Sequence, residues 1–262
     1  NTKRNKMPDH NNEALVELIT RIADDALIMG HRNSEWTGMG PILEEDIAFS
    51  SLAQDKIGHA YNLYQLIESS TGRTPDQTVF EREEQEWKCS HFSELPTGEY
   101  DFSLVRHFLY DIAESLRYEH LVISAHQPLA SLAKKLKGEI KYHVFHANTY
   151  IKQLAQGTEE SKSRIQSSLD YAFPYALALF EKSPYEEELV DRKVSLGEDL
   201  LKDKWLEQIS AAIESFGLKM PEATEEQVAE LSGGRKGYHT EYLKPLLDEM
   251  CEVHRLDPET EW

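Results

Sequence analysis

Cysteine is nearly absent. Cys89 and Cys251 are the only two in 262 residues, too few and too far apart for a disulfide framework or a thiolate metal site. Long apolar runs are missing as well: no stretch of about 18 apolar residues occurs, so no membrane span is expected, and nothing from Asn1 to His10 resembles a secretory h-region. Basic residues are scarce, 28 Lys and Arg against 47 Asp and Glu, for a formal net charge of −19. Nucleic acid and anionic membrane surfaces recruit a cationic excess, so neither is an expected partner. Period-two alternation of the kind a strand needs is not found, nor is a repeat or a low-complexity block. These absences leave an all-α, cytoplasmic chain whose acidic surface faces water or a basic partner.

What is present is helical periodicity, clearest from Pro41 to Ile67. Phe49, Leu52, Ala53, Ala60, Leu63 and Ile67 recur every three or four residues, the stripe of an amphipathic helix. Pro41 suits the first turn of that helix. Charged and titratable residues interrupt the stripe: Glu45 at its N-terminal end, Lys56 and His59 in its middle. A buried Lys is rare unless paired, because desolvating an ammonium costs several kcal/mol. The sequence therefore requires an anion opposite Lys56.

The flanking chain supplies further helices. A first one is expected over about Glu13–Met29, after a frayed polar start, with Asn11 or Asn12 as its cap and Gly30 as its stop. Asp24 and Asp25 lie beside its stripe, where an Asp is more often a solvated edge residue, a reading that fits Asp24 better than Asp25. About thirty residues without sustained period follow Ile67, with a short helix possible in the acidic piece Phe80–Trp87. Such a long crossover fits a four-helix bundle. A third helix, about Phe102–His126, is apolar over most of its circumference and therefore central, which places Asp111 inside. Pro128 opens a fourth helix, which runs to about Ala155 and has His143 on its apolar stripe. Packing helices are expected over about Lys162–Phe180, kinked or broken by Pro174, over about Leu196–Phe216, and over about Thr240–Val253. The segment SGGRKGYH, Ser232–His239, lacks Walker spacing and follows no strand, so it reads as a mobile or partner-contacting loop with Arg235 and Lys236 as candidate contacts. The whole, residues 1–262, reads as one helical domain with a core bundle at about 13–156 and additional helices at about 158–254.

A ferritin-like bundle holds two metal ions with one carboxylate from each of two helices and a Glu-x-x-His from each of the other two. His59 and His143 sit where the motif histidines would be. The positions three residues before them hold Lys56 and Ile140, so neither motif has its Glu. Two ferrous ions bring four positive charges, offset in a working site by about four carboxylates. The inward carboxylates legible here are Asp111 and, less securely placed in register, Asp25 or Glu45. Lys56 adds charge of the wrong sign. That balance suits an ammonium paired to Asp111 better than two metals.

The runs LEEDIAFSSLAQDKIGHAYNLY, GEIKYH and GGRKGYHTEYLKPLLDEM resemble the non-catalytic ferritin-like proteins known as the C subunits of the phenylacetyl-CoA epoxidase complex. The resemblance covers most of the chain and implies a ferritin-like four-helix bundle with additional C-terminal helices. It further implies a structural subunit with no catalytic, cofactor-binding or metal-binding residues of its own. The di-iron centre would belong to a catalytic ferritin-like partner in a hetero-oligomer, and NADPH would enter through a separate reductase. Against the pattern of that catalytic partner, His59, Asp111 and His143 look like retained ligand positions, and Lys56 and Ile140 like replaced glutamates. The residues alone leave two other readings open, an oxidase active through an unusual metal site and a metal-free acyl-CoA-binding bundle.

Overall fold

The computed structural model describes residues 10–257, and among these there is no β-strand. Four long helices carry the titratable residues discussed above: α1 (His10–Ser34), α2 (Leu43–Thr71), α5 (Tyr100–Leu121) and α6 (Gln127–Ala155). Helix α1 packs along α2 and α5 along α6, while α2 and α6 meet to close the bundle. The crossover between α2 and α5 holds two short helices, α3 (Pro75–Phe80) and α4 (His91–Glu94), with a 3-10 turn at Glu84–Glu86 between them. After the bundle come α7 (Glu159–Leu177), α8 (Glu186–Asp191), α9 (Glu198–Phe216), α10 (Glu225–Glu230) and α11 (Leu243–Leu256). Helices α7 and α9 lie against α5 and α6. They share an apolar core in which Phe108, Phe173 and Trp205 are buried. Among the described residues no helix is long and apolar enough to cross a membrane.

Several boundaries differ from the sequence reading for local reasons. Helix α1 does not stop at Gly30 but runs on to Ser34. A Cβ on Gly30 would lie 2.8 Å from Ile57 Cγ1 and 3.1 Å from the Ala53 carbonyl. This glycine permits close approach of α1 to α2 instead of ending a helix. Neither Asn11 nor Asn12 caps α1, which already begins at His10, so the frayed start expected over residues 1–12 is helical at residues 10–12, and residues 1–9 lie outside the described residues. Helix α2 is capped by extended Ile42, so Pro41 sits before its first turn, not in it. Helix α5 ends five residues earlier than expected, at Leu121. Beyond it the chain bonds outward to residues 193–194: the Ala125 N–H donates to Lys193 O at 2.9 Å and Ser124 Oγ to Val194 O at 2.9 Å. Pro174 lies within α7, which passes through it before tightening to a 3-10 turn at Ala178–Phe180. The acidic piece forms only α3's last residue and the 3-10 turn, not a helix of its own.

Candidate functional site

At the centre of the bundle Lys56 and Asp111 meet. The Lys56 Nζ of α2 donates to Asp111 Oδ1 of α5 at 2.8 Å, and neither side chain has any exposed surface. It also bonds Glu114 Oε2, one turn further along α5, and lies 4.7 Å from the centroid of the Tyr110 ring, a cation–π distance. Burial alone would pull the ammonium pKa down, but the carboxylates of Asp111 and Glu114 override it and hold Lys56 above its ordinary value. Burial likewise works against the Asp111 carboxylate, and Lys56 with His107 reverses it, keeping Asp111 far below the usual carboxylate range.

Asp111 is fixed from its other side. His107, one turn earlier on α5, bonds Asp111 Oδ2 through Nδ1 at 2.9 Å and reaches the Asn33 side-chain amide through Nε2 at 2.8 Å. Burial lowers the His107 pKa, keeping the ring neutral. With Nδ1–H given to Asp111, a neutral ring needs a donor at Nε2. Turning the Asn33 amide, whose nitrogen otherwise lacks a partner, supplies it.

The two histidines at motif positions engage each other's helix. His59 Nε2 donates to Glu139 of α6 at 2.7 Å, and His143 Nε2 donates to Asp55 of α2 at 3.0 Å. Each carboxylate stands four residues before the histidine of its own helix. The carboxylate is thus present on both helices, one residue off the three-residue spacing that would aim it at a shared metal. The imidazole rings stack with centroids 6.1 Å apart. Burial lowers the His59 pKa, whereas the hydrogen bond from His143 lowers that of Asp55.

A two-metal centre does not fit these residues. A ring nitrogen of His143 and one oxygen each of Asp111 and Glu114 lie within 4.8 Å of one another, but the Lys56 ammonium bonds both carboxylates. Asp111 and Glu114 with the ammonium leave one net negative charge against the four positive charges of two ferrous ions, and Asp55 and Glu139 are engaged by the histidine rings. The adjoining cavity, bordered by Asp25, Glu114, Arg117 and Arg235, measures about 20 Å³, room for a single water.

Glu45 and Asp25 are buried but belong elsewhere. Eleven residues before Lys56, and so about 16 Å along α2, Glu45 accepts from His146 Nε2 at 3.0 Å and from the Tyr100 hydroxyl at 2.6 Å. Burial would raise its pKa, but these two bonds bring it below the ordinary value. Asp25 accepts from the Ser90 N–H at 2.7 Å and from Arg235 Nη2 at 2.6 Å. Arg235 is therefore not a surface contact, since its guanidinium is turned inward to neutralise a buried carboxylate. His239 is held in the same way, against Glu94 at 2.8 Å, so the segment Ser232–His239 is anchored at two points. Only Lys236 of the expected contacts stays outside, 62% exposed and 3.0 Å from Glu181. Asp24 is not a solvated edge residue either: it has no exposed surface and accepts from Tyr64 at 2.6 Å and Arg82 at 2.7 Å.

Sequence reasoning misses Glu114, His107, His146, Asp55 and Glu139. For Glu114 a signal exists, three residues after Asp111 on the same inward arc. For Asp55 and Glu139 it is the four-residue spacing to a histidine, which is so common on helix surfaces that it does not stand out.

An all-α bundle of ferritin-like class, with helices added after its fourth and a lysine ion pair at its centre, is what these elements define. The chain belongs to the family of phenylacetic acid catabolic proteins, which matches residues 1–262. It is 26% identical over 249 residues to the C subunit of 1,2-phenylacetyl-CoA epoxidase from Escherichia coli (strain K12), covering 95% of this chain and 99% of that one. To the A subunit of the same enzyme it is 22% identical over 221 residues, covering 82% and 71%. Among solved structures, Protein 19 with aldehyde deformylating oxidase activity from Synechococcus superposes with a TM-score of 0.55 at 15% identity, covering 83% of this chain and 95% of that one. At that identity the likeness concerns the fold alone.

Proposed function

We propose that this chain is the structural, non-catalytic subunit of a multicomponent di-iron monooxygenase that epoxidises the aromatic ring of phenylacetyl-CoA in aerobic phenylacetate breakdown. The observation that carries the reading is the Lys56 ammonium bonded to Asp111 and Glu114, a cation that needs no metal, in a chain similar to the epoxidase C subunit along nearly its whole length. The similarity to the A subunit supports a hetero-oligomer with a catalytic ferritin-like chain. On this reading di-iron resides in that partner and NADPH acts through a separate reductase. The test is reconstitution with phenylacetyl-CoA, NADPH, oxygen and the reductase. This chain alone should consume no oxygen, and the catalytic partner should lose most of its activity when this chain is left out. Oxygen uptake by this chain without the partner would sink the reading.

One feature favours a second reading, a metal-free acyl-CoA-binding bundle. An open cavity of about 590 Å³ lies in the size range of ligand pockets, and Arg73, Lys88 and Lys236 on its border, among Glu13, Glu17 and Glu86, offer cations to a phosphate. Calorimetric titration of the isolated chain with phenylacetyl-CoA separates the two, since only this second reading expects saturable heat.

A further inference from the structure

The outward side of α2 carries no charge over five turns of an otherwise highly charged chain. Its exposed positions from Ile47 to Gln65 are Ile47, Ser51, Gln54, Ile57, Tyr61 and Gln65. Ile47 is 58% and Tyr61 49% exposed. Helix α6 runs antiparallel beside it, as the pairs Glu45 with His146 and His59 with Glu139 require. Its outward side adds Tyr142 and Phe145, 51% and 66% exposed, and then a row of exposed lysines, Lys134, Lys135, Lys137 and Lys141, interrupted by one exposed carboxylate, Glu139. Apolar groups of this size, left in water on adjacent helices and edged by a predominantly positive row, mark an interaction face.

Two glycines add an independent observation. Gly58 in α2 and Gly138 in α6 each stand in mid-helix, where glycine weakens a helix relative to alanine. Nothing lies within 4 Å of where a Cβ would stand at either position, so no contact within the chain requires them. They are the sequence neighbours of His59 and Glu139, which bond each other at 2.7 Å, so both glycines stand at one level of the α2–α6 layer. A backbone approaching from outside would require both.

We infer that the α2–α6 face is where the second ferritin-like chain of the complex docks. That chain lays a helix across Gly58 and Gly138, places apolar side chains on Ile47, Tyr61, Tyr142 and Phe145, and sets acidic side chains opposite the lysine row. The inference rests on the reading of this chain as a subunit. Charge selects the occupant. A second copy paired about a two-fold axis running along the helices would set lysine row against lysine row. An acidic partner surface is matched by them instead. From Leu43 to Tyr61 the face is roughly 27 Å long and two helices, roughly 20 Å, wide. That is on the order of 500 Å² before the rim is counted, against about 800 Å² per partner in a standard interface.

The test measures the affinity of this chain for the same host's relative of the epoxidase A subunit, alongside the thermal midpoint of the isolated chain. Ile47→Lys with Phe145→Glu should weaken binding about 100-fold or more and leave the midpoint unchanged, since both side chains are exposed. Gly58→Ala with Gly138→Ala should act in opposite directions, raising the midpoint by about 2 to 6 °C while weakening binding about tenfold or more. Wild-type affinity in both double variants overturns the docking face but leaves the subunit reading standing. A wild-type chain that self-associates through this face, with Ile47→Lys dissolving the dimer, overturns the choice of occupant. Failure of the wild-type chain to bind the partner at all overturns the subunit reading itself.

Discussion

Lys56→Ala should lower folding stability by about 3 to 5 kcal/mol, the penalty for stripping a buried charge of its counter-ion. The change leaves Asp111 and Glu114, neither more than 5% exposed, as adjacent carboxylates with no cation between them. Their shared response is to take up protons, so the deficit should shrink as the pH falls through the carboxylate range. Because the ammonium is bonded to both acids, the neutral pair Lys56→Met with Asp111→Leu is an incomplete rescue. It abandons Glu114 and removes the acceptor of His107. Adding Glu114→Gln removes the last unpaired charge and should recover most of the stability. Urea titration reads all three through the midpoint at constant slope. A Lys56→Ala protein within about 1 kcal/mol of wild type would mean that the ion pair is not what holds α2 to α5.

Glu198→Gln should cost a similar amount, about 3 to 5 kcal/mol, at the neighbouring cluster one turn further along α5. Glu198, 2% exposed, accepts from Arg117 through both oxygens at 2.7 and 2.8 Å and from Arg21 at 2.9 Å. The fork makes Arg117 the stronger partner. Its pKa is held up by Glu198 against burial, whereas burial prevails at Arg21 and pushes it down. Burial would raise the Glu198 pKa, but the two guanidinium groups bring it from 4.5 down to about 2. A carboxylate depressed on folding contributes stability that is fully present above its unfolded value and lost as the pH falls through its folded value. The window here is pH 4.5 down to about 2. At about 1.4 kcal/mol per pH unit, roughly 3 kcal/mol should disappear across it in the wild type. In Glu198→Gln that part of the pH dependence should be absent. Parallel pH profiles of wild type and variant would show that Glu198 does not carry it.

How much of this is legible in the sequence depends on whether the signal is local. The long helices are legible, because their apolar periods run for twenty residues or more. Lys56 facing Asp111 is legible because each interrupts an otherwise apolar stripe, and a charge in that position needs a partner. Glu114 escapes because the stripe on α5 leads from Asp111 to Ser115, the other branch of the same three-or-four step. Long-range pairs leave no trace: Asp25 and Arg235 are 210 residues apart, and nothing in the pattern around either names the other. Asp24 reads as solvated because its partner Arg82 comes from the irregular crossover, where no period fixes which way a side chain turns. The helix ends are obscured by tertiary contacts. Gly30 reads as a stop although it serves the approach to Ile57, and α5 reads too long because its end is set by residues 193–194. Gly58 and Gly138 go unnoticed because a glycine within a helical pattern only weakens it, and a reason lying outside the chain cannot be seen within it.

The central claim is that an ammonium occupies the place where a ferritin-like bundle would hold metal. It is tested most directly by counting iron. The purified chain is incubated anaerobically with ferrous iron, freed of excess and analysed for metal. Well under one iron per chain is the expected result, because Lys56 already bonds Asp111 and Glu114, and the remaining imidazoles and carboxylates seldom hold a pair of hard divalent ions. Lys56→Glu with Ile140→Glu, which restores Glu-x-x-His at both His59 and His143, should bind measurably more under the same conditions. Close to two irons per wild-type chain would contradict the account.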